Sequence, residues 1–260
     1  HAFASDAFDK GAVAVVAARR PEIAADDAPL LIVDDTLKAL GGLGRAARGR
    51  TDSRVIAVTG SVGKTSVKEA LAHVLGSQAR THAGVGNLNN HWGLPLSLAR
   101  MPRDVDFGIF EMGMNHAGEI LALSKMARPQ VAVVTAVEPA HSEFFASVDA
   151  IADAKAEIFE SVEPGGWAVI KRDMPYFHRL ARAAAACGVE NVIGFGAHDD
   201  ADVRLVGSTS DADGSLVASL GKARAEKMIA EGAISGGMVP KLETCIRAVE
   251  DGGLGKAHLQ

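Results

Sequence analysis

The apolar run Val55-Ile-Ala-Val58, the string Thr-Gly-Ser-Val-Gly-Lys-Thr-Ser at 59–66 and, after Val67, the helical pattern over 68–75 follow one another. No other stretch constrains the chain as strongly, because a strand, a glycine turn and a helix start must be built in immediate succession. Gly60 and Gly63 permit a tight turn whose N–H groups point inward. The helix N-terminus adds partial positive charge. In such a cradle Lys64 can reach the terminal phosphates of a nucleotide, and the Thr65 hydroxyl can ligate Mg²⁺. Gly60, Ser61, Val62, Gly63, Lys64, Thr65 and Ser66 are therefore the nucleotide-binding candidates. The string is the short G-x-x-G-K-T-S form, with Val58 where the longer pattern has its first glycine. The alternative is an ordinary glycine turn capping a helix; the flanking strand and helix favour the phosphate loop.

Apolar runs alternate with helical patterns along most of the chain, which predicts an α/β fold: a mostly parallel sheet flanked by helices. Strands are expected at 12–16, 30–33, 55–59, 107–111, 131–136, 167–170 and 192–195. Helices are expected at 36–47, 65–75, 94–101, 117–127, 148–162 and 175–187. The polar, glycine-bearing stretch 48–54 reads as a linker. Residues 1–50 then form a small, truncated α/β unit, 54–215 the phosphate-loop domain, and 216–260 an atypical tail. Segments 203–206 and 215–220 suggest an edge hairpin around Asp213-Gly214.

Four further features carry chemistry. Phe107-Gly-Ile-Phe-Glu111 ends in a carboxylate. Ligands in open α/β sheets sit beyond the carboxyl ends of the strands, so Glu111 is either a metal ligand beside the phosphate loop or a strand-end carboxylate facing water. His141 lies past the end of the 131–136 strand and is either a metal-ligating imidazole or a solvated loop residue. Lys155 interrupts an apolar stripe formed by Ile151, Ile158, Phe159 and Val162. A desolvated lysine favours its neutral form and can take up CO₂ as a carbamate, an anionic oxygen ligand for Mg²⁺. The alternative is a lysine that lays its stem on the core and keeps its head in water. Gly86-Asn-Leu-Asn-Asn90 offers Asn89 and Asn90 either to a substrate or as a turn and helix cap. Glu119, Glu157 and Glu160 read as solvated helix faces.

A net charge of −5 and a pI of about 6.0 argue against a general nucleic-acid binder. No apolar run approaches membrane-spanning length, and His1-Ala-Phe-Ala-Ser-Asp lacks the order of a signal peptide. Because the chain starts with His, an upstream part is expected. Cys187 and Cys245 make neither a disulfide framework nor a zinc spacing, which fits a reducing, cytoplasmic compartment, and both read as small buried hydrophobes.

Five strings occur in order: TGSVGKTSVKE at 59–69, GNLNNHWGLP at 86–95, FEMGMNHAGEI at 110–120, EPAHSEFF at 138–145 and AKAEIF at 154–159. Together they resemble the Mur ligase family of peptidoglycan synthesis, and within it the members that add D-alanyl-D-alanine to UDP-N-acetylmuramoyl-tripeptide. The resemblance covers roughly residues 1–210, with the beginning similar to the end of a UDP-substrate-binding domain. It implies ATP-dependent amide bond formation through an acyl phosphate, with ATP and Mg²⁺ as cofactors, no membrane insertion and a monomeric enzyme. By matching position, residues 60–66 would hold ATP, Thr65 and Glu111 one Mg²⁺, and His141 with a carbamylated Lys155 a second. Lys64, His141 and Lys155 would be catalytic, and Asn89 and Asn90 would face the substrate. A folate polyglutamate-type ligase, or a nucleotide-binding module without ligase activity, are the competing readings. Residues 233–260 instead resemble a fragment of acetylglutamate kinase, in which Lys241 would match a phosphate-contacting lysine. Without that family's glycine-rich loop and sheet, Lys241 reads as a solvated lysine at a helix start.

Overall fold

The sheet can be derived from alternation within single strands. In β3 (Arg54–Thr59) Val55 and Ala57 point into one apolar cluster and Ile56 and Val58 into another. Strands β5 (Phe107–Glu111) and β6 (Val131–Val134) divide in the same way: Phe110, Ala132 and Val134 on one side, Ile109 and Val133 on the other. Successive side chains of a strand face opposite sides, so an uninterrupted apolar run means a strand covered on both faces. Helix α3 (Lys64–Gly76) supplies Val67, Leu71 and Leu75 to one face. Helices α4 (Gly93–Arg100), α5 (Glu119–Ala127), α6 (Val148–Ala156) and α7 (Phe177–Ala186) supply Leu94, Leu98, Ile120, Leu123, Ile151 and Leu180 to the other.

The computed structural model describes residues 3–22, 27–139 and 144–205. Strands β4 (Thr81–Ala83), β7 (Trp167–Lys171), β8 (Asn191–Gly196) and β9 (Val203–Arg204) complete a seven-stranded, wholly parallel sheet of order β4-β5-β3-β6-β7-β8-β9. Chain order reverses around β3, so the loops after β3, β5 and β6 open at one switch point. A separate parallel pair, β1 (Val15–Ala17) and β2 (Leu30–Ile32), precedes helix α2 (Thr36–Gly49), with the short helix α1 (Ala4–Asp9) before it.

Several expectations change. The stretch 48–54, expected as a linker, is partly built into the fold. Helix α2 runs to Gly49, and Arg48 is buried with Nε donating to the Ala127 carbonyl at 2.6 Å and Nη2 to that of Arg128 at 3.0 Å. Thr51 and Ser53 are buried too, their hydroxyls donating to the carbonyls of Arg103 and Val105. Polar composition suggested a linker, but Arg48, Thr51 and Ser53 find backbone acceptors. The expected 148–162 helix tightens after Ala156 into a 3₁₀ turn (Glu157–Ser161). Val203–Arg204 adds to β8 in parallel, and residues 215–220, proposed as its hairpin partner, lie outside the described residues, as do His141, Cys245 and the tail with Lys241. Cys187 is exposed rather than buried.

Candidate functional site

The loop after β3 takes the shape its glycines allow. Gly60 has φ of +151° and Gly63, preceding α3, has φ of +83°. A side chain at Gly60 would collide with the Thr135 hydroxyl beyond β6. Thr135 Oγ1 donates toward the carbonyls of Val62 (2.6 Å) and Thr59 (3.2 Å), bracing the loop from behind. The Ser61 backbone N–H donates to the Ala136 carbonyl, and the Ser61 hydroxyl donates to the Glu138 carbonyl at 3.1 Å. The loop is thus tied to the segment that leads toward His141. Gly60→Ala is expected to destabilise the fold by about 1–3 kcal/mol, read as a lower denaturation midpoint.

At the start of α3, Lys64 and Thr65 point to different partners. Lys64 Nζ donates to the Gly60 carbonyl at 2.7 Å. Burial depresses its pKa, and Glu111 acts in the opposite sense. Thr65 Oγ1 donates to Glu111 Oε2 at 2.8 Å, and Asn89 Nδ2 donates to Glu111 Oε1 at 2.7 Å. Glu111 is buried at the end of β5, so it is not the water-facing carboxylate of the bland alternative. Asn90 behaves differently from its neighbour: its side-chain oxygen accepts from the backbone N–H groups of Trp92 and Gly93 and caps α4.

Lys155 is only 3% exposed, so the side chain is almost wholly buried. Its pKa falls to about 8, chiefly through loss of hydration, with the Lys64 charge adding to the shift. Lysine 64 and lysine 155 are therefore neighbours electrostatically, although they come from different helices.

Two carboxylates read as solvated are structural. Glu157 accepts from the N–H groups of Gly118 (2.6 Å) and Leu121 (3.1 Å), closing the N-terminus of α5. Glu119 accepts from the Asn115 and His116 N–H groups in the loop before it. A charged residue at either end of such a contact is indistinguishable in sequence from one facing water.

No group of three or more His, Cys, Asp and Glu side chains converges among the described residues. The pair Thr65 and Glu111 still suits Mg²⁺, which takes one or two protein oxygens and completes its shell with phosphate and water. The positive-φ glycines and the helix start that follows them suit a polyphosphate.

A fold of this kind defines an α/β protein whose parallel sheet is flanked by helices. The Mur ligase middle-domain family matches residues 58–233, and the chain belongs to the Mur ligase family. It is 36% identical over 206 residues to a UDP-N-acetylmuramoyl-tripeptide–D-alanyl-D-alanine ligase of Rickettsia prowazekii, covering 79% of this chain and 46% of that protein. MurF from Acinetobacter baumannii superposes with a TM-score of 0.70 at 32% identity, over 80% of this chain and 44% of that one. MurF from Thermotoga maritima, solved in complex with ADP, gives 0.68 at 30% identity, over 82% and 48%. The chain spans about half the length of the curated relatives it matches.

Proposed function

We propose that this chain carries the nucleotide-binding and phosphoryl-transfer site of an ATP-dependent amide ligase that joins D-alanyl-D-alanine to UDP-N-acetylmuramoyl-tripeptide in peptidoglycan precursor synthesis. The observation that carries the reading is the Thr65–Glu111–Asn89 chain of hydrogen bonds beside Lys64, at the mouth of the glycine loop. The similarity to ligases of that name, and to a relative solved with ADP, supports it.

The residues divide the work by chemistry. The amides and helix start of 60–66 would cradle the phosphates, and Lys64 would exchange the Gly60 carbonyl for a phosphate oxygen. Thr65 and Glu111 would hold one Mg²⁺; a carbamylated Lys155 and His141 would hold a second. Magnesium, when bound, neutralises charge on the transferring phosphoryl group. The tripeptide carboxylate then attacks the γ-phosphorus, releasing ADP and leaving an acyl phosphate. The dipeptide amine attacks that carbonyl, forms the amide bond, expels phosphate and loses a proton. Two anions must meet in the first step, so cationic groups around them are a physical requirement. Asn89 contributes by fixing the carboxylate, and its loop would face the substrate with Asn90 beside it.

The setting proposed is cytoplasmic, for a monomer acting on small substrates rather than on nucleic acid; no helix among the described residues is long and apolar enough to cross a membrane. Residues 1–50 are read as part of a UDP-substrate-binding unit and 54–215 as the ATP-binding domain. The test is ADP release by this chain with UDP-N-acetylmuramoyl-tripeptide and D-alanyl-D-alanine added singly and together. Release that requires both is the expected result. Nucleotide binding without release under any of these conditions would leave residues 1–260 with the binding step alone.

A further inference from the structure

Helix α3 carries a second buried lysine that the chemistry above does not use. Lys68 lies one turn after Lys64 on the same helix face and has no exposed surface. Its ammonium donates to the carbonyls of Gly84 (2.6 Å) and Gly86 (2.7 Å) and pairs with Glu69 Oε1 at 3.0 Å. An ammonium has three donors; the two carbonyls accept two of them, and the Glu69 carboxylate supplies the counter-charge. A buried charge is costly unless hydrogen-bonded and paired, which makes the arrangement specific to this backbone path.

The two carbonyls belong to the start of the loop that ends in Asn89. Beyond Gly86, Asn89 gives its side-chain N–H to Glu111, and its carbonyl accepts from the Gly113 N–H at 2.8 Å. The loop is therefore held at two ends: Lys68 fixes residues 84–86 to α3, and Asn89 joins the segment after β5. The same helix presents Thr65 to the other oxygen of Glu111. One rigid element, α3, thus reaches the carboxylate by two routes, directly through Thr65 and indirectly through Lys68 and the loop.

We infer that Lys68 is a positioning residue whose buried ammonium sets the 84–90 loop so that Asn89 orients the Glu111 carboxylate toward a magnesium-bound phosphate. The inference rests on the nucleotide reading of this site for its ligand, but not for its geometry. Groups that orient a metal ligand commonly change metal affinity by about 10–100-fold when removed.

The experiment uses Lys68→Met, which keeps the apolar stem and removes the ammonium, together with Asn89→Ala and the double variant. Backbone amide exchange is followed without ligand, and ADP affinity is titrated with and without Mg²⁺. In Lys68→Met the Asn89 and Gly113 amides should exchange at least about tenfold faster, while amides of β6 and β7 keep their protection. Magnesium should tighten ADP binding at least about tenfold less than in the unaltered chain, with magnesium-free affinity retained. The double variant should lose no more than the larger single loss, since both act through one carboxylate. Unchanged exchange at Asn89 and Gly113, or additive losses, overturns the inference. Should Lys68→Met fail to fold, Asn89→Ala and Lys68→Arg carry the same readouts, and an unchanged magnesium effect in both overturns it. An unaltered chain that binds no ADP overturns the nucleotide reading, and the exchange arm then decides the positioning claim by itself.

Discussion

Lys155→Ala is expected to lower turnover by roughly a thousandfold or more, and short carboxylates such as formate or acetate are expected to restore part of it. On the proposed carbamate role, the magnitude follows from what would be removed: an anionic oxygen donor placed where charge develops in the transition state. The side chain is buried, and dehydration together with the Lys64 charge brings its pKa to about 8. The direction of the pH effect follows. A lysine with a lowered pKa is neutral above about 8, and only the neutral amine takes up CO₂, so activity without added bicarbonate should rise as pH climbs through that range. Below it the ammonium dominates and uptake falls. ADP release, measured for both chains across pH 7–9 with and without formate, checks all three statements. Turnover of the alanine variant equal to that of the unaltered chain excludes the carbamate role. A variant that is inactive and cannot be rescued points instead to a packing role.

Lys64→Ala should weaken ATP binding by about ten- to a hundredfold, the range expected for losing a charge-assisted hydrogen bond to phosphate. Without ligand the ammonium rests on the Gly60 carbonyl at 2.7 Å, so it already stands at the loop mouth. Stability should change little, because the Thr65–Glu111 bond and the Thr135 brace do not involve it. A second consequence is specific to the geometry. Lys64 contributes to depressing the Lys155 pKa, so its removal should move the pH dependence of Lys155 toward the alkaline side. Calorimetric titration with ATP tests the first claim, and a pH series tests the second. Tight binding with a normal rate in the alanine variant would refute the assignment of Lys64.

Much of this architecture could be read from residue order. The apolar runs at 55–58, 107–110 and 131–134 became neighbouring parallel strands, because strands covered on both faces require continuous apolar sequence. Gly60 and Gly63 adopted the positive φ that the turn demanded. The short strand β4 was missed: Thr81-His-Ala83 has no apolar run and is defined by its pairing with β5. In the 48–54 stretch, Arg48, Thr51 and Ser53 find backbone carbonyls instead of water, which polar composition does not reveal.

The sequence alone determined the local elements and which side chains could do phosphate chemistry, because hydrophobic period, glycine placement and helix starts are short-range properties. Only the tertiary structure decided that Glu111 is gripped by Thr65 and Asn89, that Asn90 caps α4, that Glu157 closes α5, and that Lys68 is buried on two carbonyls. Those outcomes depend on which acceptors lie within about 3 Å of a charged atom after the chain has closed on itself, and partners twenty or more residues away leave no periodic trace.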